Sequence, residues 1–261
     1  MINLLLLLAA LGIVLGLRGA RAGRRGGVLL LAAAGALALG LAVHRFRAGD
    51  ANLRAVVSTA TTYGEAMGRK LARETALRHP GARVLVLLPP GSATVDHAIA
   101  DGFREEAAGL ALAAETATLA APAAVRAQLE QHLGALPPPE RAAAVAQELD
   151  DYSRWLTADT LASLLRDWSG RADLVLYLPS LPTDLASRSA LFQGGPRLLV
   201  AHVDAEQVDA LLASGLADAA VLVNPASDLW HLPAHAPADV DKAFAQRYLL
   251  VTAGQSVSNA P

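Results

Sequence analysis

The chain has 261 residues, 53% of them hydrophobic, which is enough for one domain with a full core and an appendage. Its formal net charge of −2 hides an asymmetry: residues 1–50 hold six arginines and a single acid, Asp50, leaving 16 basic and 23 acidic side chains over 51–261. A domain of that sign offers no electrostatic footprint for a phosphate backbone, so nucleic acid is not an expected partner; the lack of cysteine removes thiolate metal sites, thiol catalysis and disulfides together.

Ile2 to Leu17 is sixteen residues with only Asn3 polar, and Gly26 to Val43 is eighteen with no polar side chain. At about 1.5 Å per residue the second reaches about 27 Å, close to the hydrocarbon thickness of a bilayer. Between them lies Arg18-Gly-Ala-Arg-Ala-Gly-Arg-Arg25, a cationic loop of the kind retained on the cytoplasmic side. Two topologies satisfy this pattern, a transmembrane helical hairpin or a single signal anchor over 26–43, and both place the following domain outside. A buried hairpin within a globular protein and a cleaved signal peptide fit less well, since the apolar runs lack amphipathicity and Met1-Ile-Asn has no charged leader. Residues 1–47 are therefore expected to be a membrane anchor of one or two transmembrane helices in the inner membrane, with the soluble domain on the periplasmic side.

Residues 51–79 read as a helix, with Met67, Leu71 and Leu77 near a 3.6 period and His79-Pro80-Gly81 as its stop, so 48–81 is assigned as a helical stalk packing on the domain. Arg83 to Leu88 is a short apolar run between proline and glycine turns, the pattern of a strand buried on both faces. Val95 to Ala108 follows as a helix, Leu110 to Glu115 as a strand, and Ala123 to Leu133 as a helix. After Pro137-Pro138-Pro139, Glu140 to Trp168 is a long helical stretch interrupted near Asp150-Asp151. Strands are expected at Asp173–Leu178, Arg197–Val203, Ala219–Val223 and Tyr248–Thr252, with helices at Glu206–Ala213 and Lys242–Gln246 between the later ones. Strands separated by helical stretches make βαβ crossovers, so 82–253 is predicted to be an α/β domain, a three-layer, doubly wound, mostly parallel sheet of five or six strands. The polar tail 254–261 is expected to be disordered.

The strand Val84–Leu88, the helix bearing Asp101-Gly-Phe-Arg-Glu-Glu-Ala107, the strand Ala172-Asp-Leu-Val-Leu-Tyr177 and the segment Gly215-Leu-Ala-Asp-Ala-Ala-Val-Leu-Val-Asn-Pro225 together resemble type I periplasmic sugar-binding proteins of the ribose-binding and LacI-like kind. The resemblance spans residues 82–252 and implies an extracytoplasmic ligand-binding ancestry. It also implies a ligand clamped between two lobes and stacked on aromatic side chains. Here about 170 residues suffice for one elaborate lobe or two truncated ones, and no aromatic residue directly follows Pro89 or Pro179.

In open α/β sheets ligands sit outside the carboxyl ends of the strands, where strand order reverses. The residues just past those ends are Gly91, Ser92 and Thr94; Ser180, Thr183 and Asp184; His202 and Asp204; and Asn224, Ser227 and Asp228. Hydroxyls and carboxylates suit a polar neutral or cationic solute, and Ser92, Ser180, Asp184, Asp204 and Asn224 are the chosen ligand contacts; the same residue types also cap helices and hold turns. Pro89 to Thr94 has one glycine and no lysine, so it is no phosphate loop, and no cofactor is expected. His231 and His235, near Asp228 and Asp239, have metal-like spacing, but Pro233 between them favours a loop and no metal site is assigned. There is no G-x-S-x-G elbow, and Glu105-Glu106 and Asp150-Asp151 diverge on a helix, so no catalytic residue is assigned and the domain reads as non-catalytic. Its partners are then the membrane and a small polar solute; the alternative is a structural or assembly protein whose degenerate fold docks a membrane-protein partner.

Overall fold

The computed structural model describes residues 54–253, apart from 193, 229–231 and 234. The expected membrane anchor (1–47), the start of the stalk, His231 and the tail 254–261 lie outside the described residues. Among the described residues no helix is long and apolar enough to cross a membrane. A compact unit begins at Ser58 and holds a six-stranded sheet with helices on both faces.

Its elements in chain order are α1 (54–78), β1 (Arg83–Leu88), α2 (Thr94–Gly109), β2 (Ala113–Thr118), α3 (Ala123–His132), α4 (Pro138–Asp150) and a 3-10 turn at Tyr152–Arg154. Then follow α5 (Ala158–Trp168), β3 (Leu174–Tyr177), a second 3-10 segment at Ala186–Phe192, β4 (Arg197–Val200), α6 (Ala205–Ala213), β5 (Ala217–Val223), α7 (Val240–Arg247) and β6 (Tyr248–Thr252). The strand order is β2-β1-β3-β4-β5-β6, parallel through β5 and antiparallel only between β5 and β6. Because β1 leads outward to β2 and the chain then returns to the other side of β1, order reverses between β1 and β3.

Alternation of side chains along the strands divides the core in two. Val84, Val86 and Leu88 of β1 face a cluster built with Tyr63, Met67 and Leu71 of α1 and Ile99 and Phe103 of α2. Leu85 and Leu87 face the opposite cluster, with Trp155, Leu161 and Leu165 beside them and Val208 and Leu211 of α6. Each fully buried large side chain stabilises by about 1.5–3 kcal/mol relative to an exposed one. Tyr63, Met67 and Leu71 are all 0% exposed, so the helix expected as a stalk contributes a stripe to the core itself over residues 63–71.

That stripe is possible because α1 and α2 touch backbone to backbone. A Cβ placed on Gly68 would lie 2.0 Å from the carbonyl oxygen of Ile99, and one on Gly102 would lie 2.4 Å from that of Glu65. Ion pairs flank the crossing: Arg69 reaches Glu65 and Glu105 at 2.6 and 2.8 Å, and Arg73 reaches Glu106 at 2.8 Å.

The second strand departs from expectation by three residues. The helix before it runs on to Gly109, Ala111 closes the turn at φ 56°, and the amide of Leu112 still bonds to Ala107, so pairing starts only at Ala113. As an edge strand with one neighbour, β2 needs no apolar run, and Ala113-Ala-Glu-Thr-Ala-Thr118 is mostly half-buried or exposed.

At the amino ends of the strands Asp173 receives the side chain of Arg83 at 2.8 and 3.2 Å and its backbone N–H at 2.9 Å. These hydrogen bonds hold its carboxyl down to about 2. Two strands beyond β3, the buried Asp218 accepts from Arg78 at 2.7 Å and pins the end of α1 to β5.

Gly68→Ala is expected to cost about 3 kcal/mol or more in chemical denaturation, since backbone rather than a flexible side chain must move. Gly109→Ala, with nothing within 4 Å of the added carbon, is the matched control and should be neutral or stabilising. For Asp173, a folded carboxyl more acidic than the unfolded one, near about 3.9, adds stability above that value and loses it as pH falls toward about 2. Thermal melts of the parent and Asp173→Asn should therefore differ at pH 7 and converge at pH 2. The gap will be small, because both partners are about half exposed and screened by solvent.

Candidate functional site

Around the carboxyl ends of β3, β4 and β5 lies an open cavity of about 400 Å³, whose lining includes Ser180, Thr183, His202, Asp204, Gln207 and Tyr248. The six side chains arrive from four segments of the chain. Ser180 and Thr183 stand in the loop after β3, while His202 and Asp204 lie in the short connection from β4 to α6. Gln207 is on the first turn of α6; Tyr248 opens β6, whose antiparallel direction brings its first residue, not its last, to this end of the sheet.

Of the five residues expected to contact a ligand, the structure brings Ser180 and Asp204 together on this cavity. Asp204 occupies the N-cap position of α6 yet makes no side-chain capping bond, so its exposed carboxylate is directed to neither of the helix's first amides. Ser180 is held by two tyrosines: its N–H donates to the Tyr152 hydroxyl at 3.1 Å, that hydroxyl donates to its Oγ at 3.3 Å, and the Tyr177 hydroxyl donates to its carbonyl at 3.2 Å. Burial pushes the Tyr177 hydroxyl well above its ordinary value and keeps it a donor.

The other three are placed elsewhere. Asp184 Oδ1 accepts from the amide of Ala158 at 3.0 Å, closing the start of α5. Asn224 donates to the carbonyl of Ala245 and accepts from the amide of Ala226, fastening the β5 turn to α7. Ser92 lies 2.8 Å from Nε2 of His97 in the loop from β1 to α2, and the next carboxylate, Asp96, accepts from the amide of Ala93.

His202 retains an exposed edge, yet the protein packed around it withholds enough solvent to lower its pKa. Asp96 opposes that shift and Arg247 reinforces it, so the connection after β4, the start of α2 and the end of α7 meet electrostatically at this end of the sheet. Arg247 itself sits over the rings of Tyr63 and Tyr248, at 5.9 and 5.6 Å from their centroids. Among the described residues no group of three or more His, Asp or Glu side chains is arranged to hold a metal ion.

Tyr152, Gln207 and Tyr248 were not legible as site residues. Gln207 carries one usable signal, three residues beyond an N-cap on the side where loops meet. Tyr152 is 28 residues from Ser180, and Tyr248 looks like any strand residue until the antiparallel pairing is known.

No family model matches the chain, and no curated protein sequence does. Among solved structures it is similar to GanP, a glucose-galactose binding protein from Geobacillus stearothermophilus, at 12% identity and a TM-score of 0.38, over 60% of this chain and 47% of that one. The chain thus spans about half the length of that protein.

Proposed function

We propose that this chain is a membrane-anchored, extracytoplasmic, non-catalytic α/β domain that binds a small polar solute at the carboxyl ends of its strands. The observation that carries the reading is the meeting of Ser180 and Asp204 with His202, Gln207 and Tyr248 around one cavity of about 400 Å³, within the size range of small-molecule sites. The lining pairs hydrogen-bonding groups with one aromatic wall, and Asp204 is uncommitted to its helix. Placement outside the membrane rests on the two apolar stretches before residue 44 and the arginine loop between them. The non-catalytic reading rests on the lack of a nucleophile elbow in the sequence.

The full chain in detergent, heated with pentoses, hexoses, amino acids and nucleosides in turn, is expected to melt higher with one class. A solute at about a hundredfold its Kd adds about 2.7 kcal/mol, a rise of roughly 5–10 °C for a unit of this size. Asp204→Ala should abolish that rise while leaving the solute-free melt within about 2 °C of the parent. No rise with any class removes the solute reading and favours docking to a membrane protein. For topology, a reporter enzyme active only outside the cytoplasm and fused after Pro261 is expected to be active; activity of a cytoplasm-only reporter there would overturn the placement.

A further inference from the structure

Strand β2 closes one side of the sheet with a single neighbour, and its pairing shows which of its backbone groups are left over. The N–H and C=O of a strand residue point to the same side, and successive residues alternate. The amide of Ala113 donates to the carbonyl of Ala82 and that of Leu119 to the carbonyl of Leu88, so residues 113, 115, 117 and 119 face β1. Ala114, Thr116 and Thr118 therefore turn both backbone groups outward, and among the described residues nothing pairs with them on that side. Thr116 and Thr118 are exposed.

Native sheets guard such an edge with lysine, proline, a bulge or a very short strand. Ala113-Ala-Glu-Thr-Ala-Thr118 has none of these: it is six residues long, holds no lysine or proline, and stays in unbroken register with β1. Its one charge, Glu115, is already paired to Arg171 at 2.6 Å. Charge around the edge is balanced as well. The charged side chains lining the grooves beside β2 are Arg83, Arg171 and Glu115 in one and Asp101, Arg104 and Glu105 in the other, three cations against three anions. Residues 51–261 as a whole carry 16 basic and 23 acidic side chains, so two copies that repel over most of their surface can approach here.

We propose that β2 pairs with the β2 of a second copy of this chain, antiparallel about a twofold axis through Thr116, joining two six-stranded sheets into one. In that register Thr116 meets its own copy and Ala114 meets Thr118, each pair exchanging two backbone hydrogen bonds. The residues between them set Glu115 opposite Ala117, so no carboxylate lies directly across from another. The axis stands normal to the sheet, which leaves the core stripe of α1 on the same face in both copies. Two chains anchored ahead of α1 in one membrane can therefore pair, but the pairing does not rest on that anchor.

Light scattering on the full chain in detergent at micromolar concentration should give twice the chain mass. It should fall to a single chain in Thr116→Lys, which sets two cations against each other at the axis, and in Thr116→Pro, which removes an outward N–H that β1 does not use. The lysine variant leaves the β1 ladder intact, so its melt on dilution should match that of the parent. Because the chain has no cysteine, the register can be read directly. Thr116→Cys should be joined to its copy by a short bis-thiol reagent, and Thr118→Cys, about 14 Å from its copy at about 3.4 Å per residue, at least about 10-fold more slowly. Amides of Ala114 and Thr118 should exchange hydrogen about 10-fold or more faster in Thr116→Lys than in the parent. A dimer that survives Thr116→Lys, equal joining of the two cysteines, or unchanged exchange would each overturn the pairing; so would a monomeric parent, which leaves the edge to a strand of another protein. No readout here uses a solute, so a failed solute screen and a failed dimer are told apart.

Discussion

Contact between two backbones, at Gly68 of α1 and Gly102 of α2, sets the geometry on which one half of the molecule depends. With no side chain between them, the two helices lie close enough for Tyr63, Met67 and Leu71 to share one cluster with Ile99, Phe103 and the inner face of β1. That fixes α2 against the strand from which it springs. The loop between them is short, so Ser92, Asp96 and His97 have little freedom over where they stand. The same α1 surface reaches α7: Tyr63 donates to Gln246 at 2.9 Å and Lys70 pairs with Asp241 at 2.8 Å. Since α7 runs directly into β6, placing α7 places Tyr248, one wall of the cavity.

The alternation of apolar runs and amphipathic stretches was enough to read the α/β class, and β1 and β6 were found to the residue, because a buried strand bounded by turns has few other interpretations. The β2 strand was misplaced because an edge strand of alanine, glutamate and threonine has no apolar run to announce it. Apolar period alone also cannot tell a helix that leans on a domain from one that belongs to its core; the difference lies in the close approach at Gly68, which shows only once its neighbour α2 is in place. The candidate site divides along a similar line. Position past a strand end picked out Ser180 and Asp204, which line one cavity, but it could not tell them from Asp184 and Asn224, whose polar atoms are consumed by a helix start and a turn. Side-chain type is identical in the two groups, and only the tertiary partner differs.

That division follows from how this end of the sheet is built. Each loop must satisfy the exposed amides of the helix after it, and most residues suited to ligand recognition are suited to that duty first. The α5 start recruits Asp184 from a distant loop, and α2 recruits Asp96 for Ala93. At α6 the amide of Gln207 bonds the backbone carbonyl of Asp204 instead, which leaves the carboxylate of that residue without a capping role. A polar side chain is left over for other contacts where the backbone has already met its own requirement.

Charge then limits what such a site accepts. Asp204 is an exposed carboxylate on the cavity wall, no lysine or arginine is among the lining residues, and the protein around His202 lowers its pKa, disfavouring the cationic form. Arg247 is close enough to act on His202, but its guanidinium is engaged over the faces of Tyr63 and Tyr248. An anionic solute would face Asp204 without compensation and lose the hydration of its own charge on entry, whereas hydroxyl or amine groups can donate to Asp204 and exchange hydrogen bonds with Ser180 and Gln207. Uncharged polyols and small amines are the chemistry this wall can desolvate at least cost.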